Sequence, residues 1–172
     1  PKKLFVIENY YGSAQKGNEP NQKIFLWAGR DIFLKNTEML RQAFSEAKKI
    51  RHDIDLKMIT NMPYEALLKE MENCYAVILP SLSEVNPNFI IDAVSRGKPF
   101  VMTRESGLYE RMRDIGVFVD PMNENDLKEK ILFLADEKNY AEYKKKVESF
   151  DFRHSWEEIA DEFSAILKSL SH

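Results

Sequence analysis

Residues 76–103 read AVILPSLSEVNPNFIIDAVSRGKPFVMT, and this stretch decides the fold. An apolar run, Tyr75–Leu79, stops at Pro80. A polar loop follows, and from Asn88 the apolar residues fall at helical spacing. Gly97 supplies a natural helix stop, after which a second apolar run, Pro99–Thr103, begins at once. Strands that are apolar throughout are covered on both faces. Such strands alternating with helical segments predict a parallel α/β sheet.

The same alternation extends in both directions. Further strands are expected at Leu4–Ile7, Ile24–Ala28, Leu56–Ile59 and Gly116–Val119. A helix is expected from Thr37 to Ile50, with Met39, Leu40, Ala43, Phe44, Ala47 and Ile50 forming one stripe and Asn36 as its cap. Other helices are expected from about Pro63 to Asn73 and from near Gly107. The tail carries two or three more. The last has Ser155 three residues before Glu158, a capping-box pattern, and a stripe of Trp156, Ile159, Phe163, Ile166 and Leu170. The polar, Gly-containing stretch Asn9–Gln22 reads as loop. The expected architecture is a three-layer, Rossmann-like α/β domain with a parallel sheet of about five or six strands. Residues 1–23 are expected to be a linker or edge segment and residues 24–172 the domain itself.

Composition narrows the function. The 172 residues carry a formal net charge of −3, without the basic balance that phosphate neutralisation gives duplex-DNA binders. No apolar run approaches the roughly 20 residues of a membrane span, and no signal peptide is visible. The single cysteine, Cys74, permits no intrachain disulfide, which fits a reducing cytosol; it reads as a small packed residue rather than a nucleophile. The chain opens Pro1-Lys2-Lys3 without an initiator Met, so a piece of a longer protein, lacking a partner domain, is expected.

Open α/β sheets bind ligands beyond the carboxyl ends of their strands, where helix N-termini offer free N–H groups and a positive dipole end. After Ile24–Ala28 come Gly29, Arg30 and, five residues later, Lys35. Gly29 permits close backbone approach, and the two cations suit a diphosphate. After Tyr75–Leu79 comes the loop with Ser81, Glu84, Asn86, Pro87, Asn88 and Phe89, and Asp92 lies one turn inside the following helix. The eight-residue spacing of Glu84 and Asp92 means nothing by itself in a chain with 28 acidic residues; their placement counts. A loop carboxylate can accept from sugar hydroxyls, and one a turn deeper can hold a ribose diol. After Pro99–Thr103, Ser106 and Gly107 form a small-residue turn whose backbone donors face the same edge. Each signal is weak singly, and together they converge.

The ordered set AGRDIFLKN, AVILPSLSEVNPNFIIDAVSRGKPFVMT, ESGLYE and VFVDPMNENDLKEKI resembles glycosyltransferase family 4, the retaining, glycogen-synthase-like group with two facing Rossmann-like domains, the GT-B fold. The resemblance runs from about Ile24 to the C-terminus and matches the C-terminal, donor-binding domain. It implies that Arg30 and Lys35 contact the donor diphosphate and supply electrostatic stabilisation as negative charge builds on the leaving group. Glu84 stands at the first acid of the family's Glu-x(7)-Glu motif, which contacts the transferred sugar. With Arg30 and Lys35 it completes the catalytic set. Asp92 stands at the second acid, which holds the ribose. Gly29, Ser81, Asn86, Pro87, Asn88, Phe89, Ser106 and Gly107 line the donor site. The helix with Trp156 resembles the segment that packs back toward the first domain.

Two features depart from the family pattern. The second acid is Asp92, one methylene shorter than Glu. One βα unit is also missing between the first helix and the strand before Pro80-Ser81, in a region that normally helps recognise the base. The implied substrate is a nucleoside-diphosphate sugar, with no cofactor and no metal; His52, His154 and His172 form no ligand set. The implied partner is an absent N-terminal, acceptor-binding domain. No nucleic acid is expected, and membrane contact only through the full-length protein, at the cytoplasmic face. The isolated fragment is expected to turn over little. The alternative is a non-catalytic domain with a degenerate sugar-nucleotide site. A signalling receiver domain would want an acidic pair after its first strand, where Ala28-Gly29 stands. A sugar-nucleotide epimerase of the same architecture fits the Arg30–Lys35 and Glu84–Asp92 spacings less well.

Overall fold

The structure is a computed structural model and describes residues 5, 7, 10, 11, 17–150 and 154–170. The chain divides into two units, Ala14–Phe150 and a smaller one formed by Pro1–Ser13 with Asp151–His172.

The larger unit is built on five parallel strands: β1 (Lys23–Ala28), β2 (Ile54–Ile59), β3 (Ala76–Leu79), β4 (Phe100–Thr103) and β5 (Val117–Val119). Their order in the sheet is β2-β1-β3-β4-β5. Ala28 pairs with Ile59, Leu79 with Met102, and Thr103 with Val119, so the carboxyl ends lie level. The buried strand residues Phe25, Leu26, Trp27, Val77, Ile78, Val101 and Met102 form the heart of the core. The chain moves from β1 outward to β2, then crosses back to β3, so the topological switch lies between β1 and β3. Right-handed crossovers put α1 (Thr37–Ile50) and α5 (Glu124–Ala135) on one face, where they pack together. They put α2 (Tyr64–Asn73), α3 (Asn88–Ser95) and the short α4 (Tyr109–Met112) on the other. α6 (Glu137–Glu148) follows α5 and contacts it. The five strands and the helices on both faces match the predicted class.

Gly97 has φ +64, the left-handed residue that stops α3 as the sequence predicts. Two expectations about α1 need correction. Asn36 does not cap it: its own backbone is left-handed (φ 54, ψ 36) and its side chain bonds no helix amide, because a side-chain cap needs extended backbone at that residue. Ile50, at the helix's last residue, is exposed, and the buried stripe ends at Ala47. Cys74 is buried, and burial pushes its thiol pKa up to about 12, as suits a packed residue.

In the smaller unit, α7 (Trp156–Leu170) opens with the predicted capping box: Glu158 N–H donates to Ser155 Oγ at 3.1 Å and Ser155 N–H to Glu158 Oε2 at 2.6 Å. Tyr10 stacks on Trp156 with ring centroids 5.1 Å apart, and Tyr11 bridges antiparallel to His154. Along the expected apolar stripe of α7, Trp156, Phe163 and Leu170 are exposed. Of the expected strand Leu4–Ile7, Leu4 and Val6 lie outside the described residues, and Phe5 and Ile7 belong to no regular element.

Candidate functional site

The switch between β1 and β3 is where a doubly wound sheet opens a crevice, and most of the candidate residues flank it. The Gly29 amide still donates to Ile59 O at 3.0 Å, extending the β1–β2 ladder by one bond. Arg30 then leaves the sheet exposed, and its guanidinium has no partner among the described residues. A Cβ added at Gly29 would meet Trp27 at no closer than 3.5 Å, so the protein's own packing leaves room there.

Phe33–Lys35 form a 3-10 turn whose Leu34 carbonyl accepts from Leu82 N–H at 2.9 Å, tying it to the loop after β3. Asn36, instead of capping, donates through Nδ2 to Pro80 O at 3.1 Å and Pro121 O at 2.8 Å. One side chain thereby joins the exits of β1, β3 and β5. Lys35 Nζ donates to Glu84 Oε1 at 2.6 Å, with the two side chains 23% and 12% exposed. The cation assigned to phosphate and the acid assigned to sugar are therefore paired with each other.

The loop bearing Glu84 is held from its other side as well. Glu84 N–H donates to Glu105 O at 2.9 Å, and Gly107 N–H donates to Glu84 O at 3.1 Å. This corrects the expectation for the turn after β4. The Gly107 amide is spent on the loop, and Leu108 N–H goes to Ser106 Oγ at 3.2 Å. Gly107 serves by its shape: a Cβ there would lie 2.3 Å from Val85 O. Within the loop, Ser81 Oγ and Asn86 Oδ1 are buried without a hydrogen-bond partner, Pro87 is buried, and Asn88 and Phe89 open α3. No side chain caps α3.

Asp92, one turn into α3, is half-buried and makes no recorded contact with Glu84. Its Oδ1 accepts from Tyr64 OH at 2.8 Å. Burial raises the Asp92 pKa above its ordinary 3.8, opposed by the Tyr64 hydrogen bond and the Arg96 charge. The group therefore costs stability when ionised. Below pH 3.8 it is protonated in both folded and unfolded states, and the cost is absent. The cost grows as pH rises and is complete above the folded-state pKa. Asp92→Asn is thus expected to raise the thermal midpoint at pH 7, with the gain vanishing below about pH 4; melting curves at the two pH values check it.

Sequence reasoning missed Tyr64. The signal was present, since Pro63-Tyr64 starts a helix just beyond a strand end, the same logic applied to the other loops. It also missed the joining role of Asn36, for which no local pattern exists.

Solved structures of GT-B glycosyltransferases share this Rossmann-like architecture. TarM of Staphylococcus aureus, solved as a mutant with UDP among its ligands, superposes with TM-score 0.76 at 16% identity, over 96% of this chain and 39% of TarM. The catalytic domain of cholesterol-alpha-glucosyltransferase from Helicobacter pylori gives TM-score 0.60 at 20% identity, over 74% of this chain and 98% of that one. The chain belongs to the family described as "Glycosyl transferases group 1", which matches residues 38–150. An uncharacterised glycosyltransferase of Methanocaldococcus jannaschii is 28% identical over 122 residues. That match takes in 67% of this chain and 34% of the relative, so the chain spans about a third of the length of the curated protein it matches. Among the described residues, no helix is long and apolar enough to cross a membrane.

Proposed function

We propose that this chain is the donor-binding half of a retaining glycosyltransferase that moves a sugar from a nucleoside diphosphate to a glycan or lipid acceptor. The carrying observation is the Lys35–Glu84 pair at the β1/β3 switch, with Arg30, unpartnered among the described residues, at the exit of β1 and Asp92 in the helix that follows β3. In this reading the donor's diphosphate takes Arg30 and draws Lys35 away from Glu84. The released Glu84 carboxylate then accepts from hydroxyls of the sugar, and Asp92 takes the ribose diol. As the sugar leaves, negative charge grows on the diphosphate, and the two preoriented cations stabilise it. The sugar hydroxyls replace the Lys35 ammonium as donors to Glu84, so the half-buried carboxylate is not left without hydrogen bonds, which would cost several kcal/mol. The acceptor is bound by a further domain of the longer protein, and the 172 residues alone turn over little. Work at the cytoplasmic face of a membrane fits this role.

The test is calorimetric titration with UDP, GDP and ADP. At least one is expected to bind, and Arg30→Ala is expected to weaken it about tenfold or more, the loss of a charged hydrogen bond, with the fold unchanged by circular dichroism. An unchanged affinity in Arg30→Ala rejects the assignment. A second reading, a degenerate site retained for binding or assembly, draws on the same geometry: Lys35 with Glu84 and Tyr64 with Asp92 satisfy one another without a ligand. Absence of binding by all three nucleotides at millimolar concentration selects it.

A further inference from the structure

Tyr64 is the first residue of α2, and only four residues separate it from the end of β2. In the sheet order, β2 lies on the far side of β1 from β3. A side chain starting there reaches α3 only by spanning the crevice mouth on the face that α2 and α3 share. Tyr64 does so, and its hydroxyl donates to Asp92 Oδ1 at 2.8 Å across 28 residues of sequence. The phenol is otherwise substantially open, at 56% exposure for the residue. Arg96, the nearest cation on α3, is occupied elsewhere. Its Nη1 donates to the Asp92 main-chain carbonyl at 3.2 Å and to Ser95 Oγ at 3.1 Å, and Nε lies 3.7 Å from Glu72. Among the described residues, the Tyr64 hydroxyl is the one hydrogen-bond donor to the Asp92 carboxylate, and it uses one oxygen.

Resting on the donor-binding reading above, we propose that Tyr64 is a positioning residue for the nucleoside: by holding Asp92 Oδ1 it presents the second carboxylate oxygen, Oδ2, to the ribose diol. An aspartate is stiffer and shorter than a glutamate, with one fewer side-chain torsion. Once its rotamer is set by Tyr64, little freedom is left to lose on binding. The short path from β2 to α2 makes this contact possible.

The experiment uses the 172-residue chain and the tightest binder among UDP, GDP and ADP, together with the 2′,3′-dideoxy form of the same nucleotide, which lacks the diol. Tyr64→Phe keeps the ring and removes the hydroxyl. It is expected to raise Kd for the ribonucleotide about three- to tenfold and to leave Kd for the dideoxy form within about twofold. Asp92→Asn is expected to show the same selectivity for the diol, and the double variant is expected to be no weaker than Asp92→Asn, since both act through one contact. An equal loss on both nucleotides would assign Tyr64 to folding or to stacking and overturn the proposal. So would a Tyr64→Phe protein that binds the ribonucleotide as tightly as wild type. Failure of the wild-type chain to bind any of the three nucleotides would overturn the donor-binding reading, and this inference with it.

Discussion

Lys98→Ala is expected to destabilise the larger unit by about 3–5 kcal/mol, the range for truncating a large buried side chain and leaving its polar partners unmet. Lys98 is 2% exposed, and a lysine is almost never so buried without partners. Its ammonium donates to Asn18 O at 2.7 Å and to Cys74 O at 3.0 Å. Burial pushes its pKa down. The two carbonyls belong to the segment entering β1 and to the turn entering β3, so one side chain ties together the amino ends of two neighbouring strands. Gly17 makes room for it: a Cβ there would stand 2.6 Å from Lys98 Cε. Urea unfolding of Lys98→Ala and Lys98→Met separates the contributions. The methionine fills the space and lacks only the donors, so it is expected to recover part of the loss. A midpoint for Lys98→Ala within error of wild type would show that the carbonyls find water instead.

Gly107→Ala is expected to cost about 1–3 kcal/mol of stability, as overpacking does, and to weaken nucleotide binding about tenfold or more by displacing Glu84. The new methyl would lie 2.3 Å from Val85 O, far inside contact distance. Gly107 is not among the residues with positive φ, so the penalty is steric and carries no backbone strain. The loop cannot simply lift away, because Glu84 is tied to Glu105 and Gly107 by backbone hydrogen bonds. Relief must break one of these and move the carboxylate that faces Lys35. The obstacle is a main-chain carbonyl, so trimming the Val85 side chain is expected to rescue nothing. Titration and melting of Gly107→Ala, alone and with Val85→Ala, check this. Wild-type affinity in the single variant would show that Glu84 does not depend on the turn.

The sheet was legible because each buried strand announces itself locally. Ala76–Leu79 is four apolar residues bounded by Tyr75 and Pro80, and the β-branched and aromatic run before Gly29 needs no partner to be read. The α1 stripe, the Gly97 stop and the Ser155–Glu158 box are likewise contained in one or two helical turns. What escaped depends on residues far apart. Lys98 sits beside Pro99 and reads as a turn residue, and its burial follows from where residues 17–22 cross the sheet's amino edge. Gly107 reads as backbone made free for a ligand, whereas its need arises from Val85, brought against it by the β3 and β4 exits. Asn36 reads as a cap until its own left-handed backbone is seen. The candidate site residues were chosen by the rule that strand ends face ligands. Their pairings, Lys35 with Glu84 and Tyr64 with Asp92, are properties of the assembled edge.

β2 is an outer strand, with a neighbour on one side only among the described residues. An outer strand with unsatisfied amides invites pairing with another polypeptide and, through it, aggregation. Asp55 and Lys57 alternate along β2 and are exposed, each held in an ion pair, with Lys48 and Glu70 respectively. A second chain docking as an extra strand would have to dehydrate these charges. The charged border of β2 thus works against recruitment of a further strand, where a purely apolar border would favour it.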